Sequence, residues 1–395
     1  MSREFARLPR PLCSRLRIAR ARCALQVLLM GGGVLQAGVA PAVLAQPAQG
    51  AQVVDAGAVQ RATQKPEATD RASRIDALEA ARDTDGLAAE VHAALAAPSD
   101  AIVREWLLDR GLHALARQAP TAAAKRVVHE IAQRRPEVMV RVDPDHGGHA
   151  VPLYDPGATA RFVLGTWART AARESTLAAL ASGSGAPLDT FASLDSASRA
   201  GVVDAFMSLP LASLAGHRDA ILGGLERGER LDELALTAAT RLRDAALLEA
   251  VIGYADGASA LAAVRDAHAV LSDASALDVL IAATRRPEVA SAALLQIGAL
   301  ARDDARAREL LFAALDDGHN GASAAAALAD LHDSAVAARL GERLRTGTSE
   351  RALRHGVLTL KLDGSAAARA ELERFMRLGT GSAQLRKEVR TWLAQ

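Results

Sequence analysis

Four side chains that can bind a metal ion lie close together in one stretch of the chain. They are Asp143, Asp145, His146 and His149, within the turn-forming sequence Asp-Pro-Asp-His-Gly-Gly-His. Imidazole nitrogens and carboxylate oxygens are ligands that zinc and other divalent ions use. The glycine pair leaves the relative positions of the histidines open. A binding lip at the edge of the fold and a plain structural insert are therefore alternatives, and we predict no metal site.

Two further motifs match catalytic patterns only in part. His129 and Glu130 begin a sequence similar to the H-E-x-x-H zinc-protease motif, but Gln133 stands where the second histidine is required. The run 182–185, Ser-Gly-Ser-Gly, lacks the first glycine and the preceding strand of a nucleophile elbow. We read the first as a solvated helix face and the second as a linker. The sequence therefore predicts no catalytic residue, no cofactor and no enzyme.

Regular spacing in the C-terminal part predicts stacked structural units. Aspartates recur every 30 residues, at Asp273, Asp303, Asp333 and Asp363. Leucines recur every 31 residues, at Leu300, Leu331, Leu362 and Leu393. A period of this length is typical of repeat proteins, in which each unit buries its apolar face against the next.

The unit from Asp303 to Leu331 shows what one repeat contains. Leu311 and Leu315 are four residues apart, so they mark the apolar face of a helix that an aspartate precedes. Asp317-Gly318 is predicted to end this helix, with the glycine in the left-handed conformation. A second, alanine-rich helix follows. Each unit is therefore predicted to be two helices joined by tight turns.

These units resemble a known family of helical repeats. The segment 324–333, Ala-Ala-Ala-Ala-Leu-Ala-Asp-Leu-His-Asp, followed by Leu340 and Leu344, is similar to short HEAT repeats. The resemblance is clear over 244–395 and fainter over 100–243. Arg351 fits the basic residue that the family places early in the second helix, whereas Asn320 and Gly321 occupy the equivalent place one unit earlier. The resemblance implies a right-handed α-solenoid that binds other molecules, and it implies no chemistry.

The N-terminus has the three parts of a secretory signal peptide. A basic region with seven arginines precedes an apolar stretch, and small residues occupy positions −3 and −1 of a predicted cut after Ala45. Residues 1–45 carry seven arginines and one glutamate, so the net charge of +1 becomes −5 when they are removed. The predicted location is the periplasm, with no stable membrane span after cleavage. An uncleaved N-terminal anchor is the alternative.

The remaining segments are divided by composition. Residues 46–70 are rich in Gln, Ala and Pro and are predicted to be a flexible linker, followed by N-terminal helices over 71–137. The β-branched run at 138–142 predicts a short β-hairpin-like insert near 138–154, within an extended segment 138–157. Irregular helical repeats are expected over 158–243 and HEAT-like repeats over 244–395. The predicted class is thus an all-α solenoid with one small insert.

A charge bias in the last two units suggests a docking surface. Residues 335–395 contain twelve basic and six acidic side chains. In HEAT arrays the second helices usually line the concave face, so we predict a partner-binding patch of Arg351, Arg354, His355, Arg386, Lys387 and Arg390. A solvated end of the stack is the alternative. Few aromatic residues accompany these charges, so nucleic acid is not an expected partner.

These observations favour an exported interaction scaffold. Its expected partner is a protein or an acidic component of the cell envelope. An envelope hydrolase or metal-binding protein that uses the 143–155 loop is one alternative, and a structural spacer is another.

Overall fold

A computed structural model describes residues 50–97, 99–142, 149–346 and 349–394 of the chain. The predicted signal peptide lies outside these ranges, as do Asp143, Asp145 and His146 of the predicted loop. Within the described ranges the chain is mostly helical, and its one sheet has three short strands.

The N-terminal part packs helices around this sheet. Its strands are β1 (Gln52–Val54), β2 (Val138–Val142) and β3 (His149–Pro152). Its helices are α1 (Ala56–Thr63), α2 (Pro66–Ala81), α3 (Thr84–Ala96), α4 (Ala101–Ala116) and α5 (Ala122–Ile131). Their buried side chains form one apolar cluster, which Val163 and Trp167 of the following helix complete.

The sheet has β2 at its centre. β1 pairs with β2 in parallel and β3 pairs with it antiparallel, so the hairpin predicted near 138–154 is confirmed. The sequence does not predict β1. Residues 50–70, expected to be a flexible linker, instead contain β1, α1 and the start of α2. β1 depends on a distant partner, since the backbone N–H of Gln52 donates to the carbonyl of Glu137 at 2.8 Å.

Four α-helices of unequal length then connect the N-terminal part to the repeats. They are α6 (Pro156–Ala181), α7 (Ala186–Thr190), α8 (Ser196–Ser208) and α9 (Leu211–Ala215). Asp155 begins α6 by accepting the backbone N–H of Ala158 at 2.8 Å. α6 and α8 approach closely at Gly201, where a Cβ would lie 2.1 Å from the carbonyl oxygen of Arg169.

The C-terminal part is a series of helical hairpins. Their first helices are α10 (Arg218–Glu226), α12 (Ala245–Tyr254), α14 (Asp273–Ala283), α16 (Ala305–Ala314), α18 (Ser334–Thr346) and α20 (Ala366–Leu378). Their second helices are α11 (Asp232–Leu242), α13 (Gly257–Val270), α15 (Pro287–Leu300), α17 (Gly321–Ala329), α19 (Glu350–Asp363) and α21 (Ala383–Leu393).

These hairpins pack in sequence order. Each first helix contacts the second helix of its own hairpin, and each second helix contacts the second helix of the next hairpin. This arrangement is an all-α, solenoid-like fold with a small sheet insert, and it confirms the predicted fold class. The regular packing includes α10 and α11, although the sequence pattern is clear only from residue 244. The handedness of the stack stays a prediction.

The hairpin of α16 and α17 shows why these residues form a unit. Asp304, the second of two adjacent aspartates, begins α16 by accepting the N–H of Ala307 at 3.0 Å. After α16, the Asp317 carboxylate accepts the N–H groups of His319 and Asn320, which holds the turn. Gly318 does not have the left-handed backbone that the sequence predicts. Side-chain hydrogen bonding, which orders turns efficiently, therefore replaces the predicted glycine cap.

Small residues allow successive second helices to come into direct contact. A Cβ on Gly298 of α15 would lie 2.9 Å from the Cβ of Ala327 of α17 and 3.2 Å from its Cα. A Cβ on Gly321 of α17 would lie 2.1 Å from Nδ1 of His355 of α19. Both glycines are buried in the described structure. Close packing of this kind increases the dispersion contacts that each hairpin makes with its neighbours.

Replacing Gly298 by alanine tests this packing. Alanine favours a helix over glycine by about 1 kcal/mol, but here its methyl group would collide with Ala327, so we expect a net loss of about 1–3 kcal/mol. Gly253 in α12 is the matched control, since a Cβ there has no neighbour within 4 Å. Gly253→Ala should raise stability by up to about 1 kcal/mol. Urea unfolding of both variants measures this, and stabilisation by both would contradict the close contact.

Candidate functional site

The six basic residues predicted to bind a partner lie on α19 and α21, which contact each other. Arg351 is exposed near the start of α19. Its guanidinium lies across the turn before α17, where a Cβ on Gly318 would be 2.7 Å from Nη1. Gly318 therefore makes room for an arginine of the next hairpin. Within the described residues Arg351 has no ion pair.

His355 contributes to packing between hairpins. Its Nδ1 lies 2.7 Å from the carbonyl oxygen of Leu315, at the end of α16. A carbonyl only accepts, so Nδ1 carries a proton and donates it. The ring also fills the space beside Gly321. Gly321 therefore makes room for an imidazole of the next hairpin, as Gly318 does for an arginine.

Arg354 and Arg386 have partners within the last two hairpins. Arg354 Nε lies 3.5 Å from Oε1 of Glu350, whose carboxylate also accepts the N–H of Ser382 at 3.1 Å. The hydrogen bond from the Ser382 hydroxyl is the main cause that lowers the pKa of Glu350. The guanidinium of Arg386 donates to the carbonyl oxygens of Gly379 and Gly381, at 2.9 and 2.5 Å. Arg386 therefore holds the turn between α20 and α21.

Lys387 and Arg390 are both exposed on α21, and neither forms an ion pair within the described residues. A further exposed cation, Lys361 near the end of α19, lies over the ring of Trp392, with Nζ 4.2 Å from the ring centroid. We call Arg351, Arg354, Lys387 and Arg390 the basic end. On the two preceding second helices, the exposed positions Ser291, Leu295 and Ala322 are uncharged, and Leu295 is half exposed. The exposed acid Glu288, in the first turn of α15, is paired with Arg286.

The other candidate residues from the sequence, where the structure describes them, are exposed side chains or begin a helix. His149 is exposed at the first position of β3, and Asp155 begins α6. His129 and Glu130 are exposed on α5, with Glu130 3.9 Å from Nε2 of His92. Among the described residues, no group of three His, Cys, Asp or Glu side chains is placed to hold a metal ion.

A polar cleft in the N-terminal part was missed by the sequence reasoning. It lies between α2, α4 and the turn from β3 to α6, is open to solvent, and has a volume of about 500 Å³. Its lining residues are Asp76, Glu79, Trp106, Asp109, Arg110, His113, Arg117 and Tyr154. The five between 106 and 117 recur at helical spacing, which places them on one face of α4 and its C-terminal end. That spacing is a signal in the sequence, although nothing local predicts that the face borders a cleft.

Ion pairs organise the rim of this cleft. Arg110 forms a two-point ion pair with Asp76, with Nε 2.9 Å from Oδ1 and Nη2 bonded to Oδ2. Arg117 donates to Glu79, and this hydrogen bond raises the pKa of the arginine. Asp109 lies deeper. Its Oδ1 accepts the Thr159 hydroxyl at 3.2 Å, and burial raises its pKa.

Tyr154 and Glu105 lie near Asp109. Burial, together with the charges of Asp109 and Glu105, raises the pKa of Tyr154 to about 12, so its hydroxyl keeps its proton at neutral pH. Glu105 is only 2% exposed, and its carboxylate accepts the backbone N–H groups of Glu137 and Val138 at the start of β2. Glu105 therefore joins α4 to the sheet.

No protein-family model matches this sequence, and no similar sequence is found among curated proteins. In the described part of the chain, no helix combines the length and the apolar character needed to cross a membrane.

The pH dependence of stability tests the role of Glu105. Burial raises its pKa from 4.5 to about 7, so the folded state holds this proton more tightly than the unfolded state. The stabilising contribution of protonation is therefore complete below about pH 4.5 and is lost as the pH rises to about 7, by on the order of 3 kcal/mol at most. Glu105→Gln should flatten the curve of unfolding free energy in this window. Glu174→Gln, an exposed change on α6, should leave the curve unchanged, and identical curves for all three proteins would contradict this role.

Proposed function

We propose that this protein is an exported interaction scaffold that binds an acidic protein or an acidic envelope component through its second helices. The observation that carries the proposal is the basic end: exposed cations on α19 and α21 of which three, Arg351, Lys387 and Arg390, have no ion pair within the described residues. We further propose that the hairpins are HEAT-like repeats, on the resemblance noted above.

The packing of the second helices supports this proposal. Each contacts the next, so their outward faces form a continuous row from α11 to α21. A protein surface with unpaired cations attracts acidic partners and raises their association rate. The uncharged positions on α15 and α17, including Leu295, supply apolar area beside the cations. Binding needs both features, because exposed charge pairs alone contribute little affinity.

The inward-facing basic residues have a separate role in this proposal. His355 and Arg386 donate hydrogen bonds to backbone carbonyls of the repeats, so we assign them to stability and leave partner contact to the basic end. Partner binding and not catalysis is the proposed activity.

Charge reversal at the basic end tests the docking surface. The variant Arg351→Glu, Lys387→Glu and Arg390→Glu should lose acidic partners captured from envelope extract, while folding changes by only about 0.5 kcal/mol per site. Capture by the unaltered protein should weaken with salt, because the screening length falls from about 10 Å at 0.1 M to about 3 Å at 1 M.

A matched control variant separates the effect of charge at the basic end from the effect of the net charge of the protein. Arg126→Glu, Arg173→Glu and Arg377→Glu change the net charge equally at exposed arginines outside the second helices. This control should capture the same molecules as the unaltered protein. Recovery of one identical set by all three proteins would mean that the partner binds elsewhere.

Export is tested by the terminal sequence of the mature protein. Cleavage after Ala45 leaves β1 and everything after it intact, since β1 begins at Gln52. We expect protein from its native host to begin at Gln46 and to occur in the periplasmic fraction. Retention of Met1, or recovery from the cytosol, would contradict export.

A further inference from the structure

We propose that the cleft between α2, α4 and the turn before α6 binds a small organic cation, an amine or quaternary ammonium group, between Trp106, Tyr154 and the carboxylate of Asp109. The inference is independent of the proposed function, because the cleft is built from the N-terminal part and shares no residue with the basic end.

The charges in the cleft favour a cation. Three carboxylates line it, from Asp76, Glu79 and Asp109, together with two arginines. Asp76 pairs with Arg110 and Glu79 pairs with Arg117. Both arginines are therefore neutralised by carboxylates within the cleft itself. Of the three carboxylates, that of Asp109 has no arginine or lysine partner within the described residues, and its ion-pair contact is with His113.

Few hydrogen-bond donors lie close to the carboxylate of Asp109. The Thr159 hydroxyl reaches Oδ1 at 3.2 Å, and Nδ1 of His113 is 3.5 Å from Oδ2. The same His113 nitrogen lies closer, at 2.8 Å, to the backbone carbonyl oxygen of Asp109, which accepts a hydrogen bond from it. The carboxylate is also half-buried. A partly dehydrated carboxylate with so few donors is stabilised by an approaching positive charge, whereas an anion would be repelled.

The two aromatic side chains provide the rest of the site. Trp106 and Tyr154 both line the cleft and are half-buried, and neither ring forms a side-chain hydrogen bond within the described residues. By contrast, Nε1 of the buried Trp167 donates to the carbonyl of Gln118 at 3.1 Å. Aromatic faces attract cations, and aromatic side chains beside a carboxylate are a recurrent way to bind quaternary ammonium groups.

The size and composition of the site limit the class of ligand. A cleft of about 500 Å³ accommodates a small molecule. A hard divalent ion prefers a shell of oxygen ligands and gains nothing from two aromatic rings. A neutral polyol would use the same rings and hydrogen-bonding groups without needing the charge of Asp109. The experiment therefore has to separate charge from shape.

Choline and a neutral alcohol of the same shape make this separation. In dimethylbutanol a carbon atom replaces the ammonium nitrogen of choline. Titration calorimetry of the full mature chain should show one binding site for choline. The alcohol should bind to it with an affinity at least about tenfold lower. Asp109→Asn should lower the affinity for choline by about tenfold or more and leave the affinity for the alcohol unchanged. Trp106→Leu should lower the affinity for both ligands, whereas Trp106→Phe should retain most of the binding.

Controls keep the result interpretable. The Asp109→Asn variant retains a side-chain oxygen that accepts the Thr159 hydroxyl, so it should unfold at nearly the same temperature as the unaltered protein. Asp266→Asn removes one exposed carboxylate from α13 and should leave choline binding unchanged. Equal affinity for choline and the alcohol, undiminished binding by Asp109→Asn, or no choline binding at all would overturn the proposal. Binding of a neutral disaccharide in place of choline would assign the cleft to polyols.

Discussion

Direct contact between successive second helices is the constraint on which the rest of the repeat region depends. A single helical hairpin cannot bury its own apolar face, so each unit is stabilised mainly by its neighbours. Here that burial relies on leucine, valine and alanine, with few aromatic side chains to fill gaps. The helices must therefore come close. Gly298 and Gly321 allow this at two successive interfaces, in one case against Ala327 and in the other against the imidazole of His355.

Arginine provides a second kind of connection between units, at the ends of helices. The guanidinium of Arg241 donates to the carbonyl oxygens of Phe206 and Leu209, both at 2.8 Å. Arg286 donates to the carbonyl of Ile252. The last carbonyls of a helix have no partner inside it, and a planar group with several donors satisfies two at once. The arginine content of this chain therefore reflects, in part, the joining of helices, and it is a poor guide to binding surfaces.

Whether an arginine is available to a partner depends on the acids and carbonyls within its reach. At the rim of the N-terminal cleft, Arg110 and Arg117 are neutralised by carboxylates of α2. On α21, Arg386 is engaged by backbone carbonyls, whereas the neighbouring Lys387 stays exposed. The two candidate surfaces consequently have opposite electrostatic character. The basic end presents exposed cations, and the cleft retains one under-compensated carboxylate.

The sequence by itself determined the features that depend on neighbours along the chain. Helical spacing of Leu311 and Leu315 defined a hairpin, an aspartate ahead of α16 defined its start, and the run 138–142 defined a strand. Only the tertiary structure decided that β1 pairs with β2, that Arg351 and His355 lie over Gly318 and Gly321, and that Trp106 and Tyr154 line the same cleft. Periodicity reports which face of an element is apolar, because that depends on the helix or strand geometry alone. It does not report which residue lies opposite, because that is set by how separate elements pack.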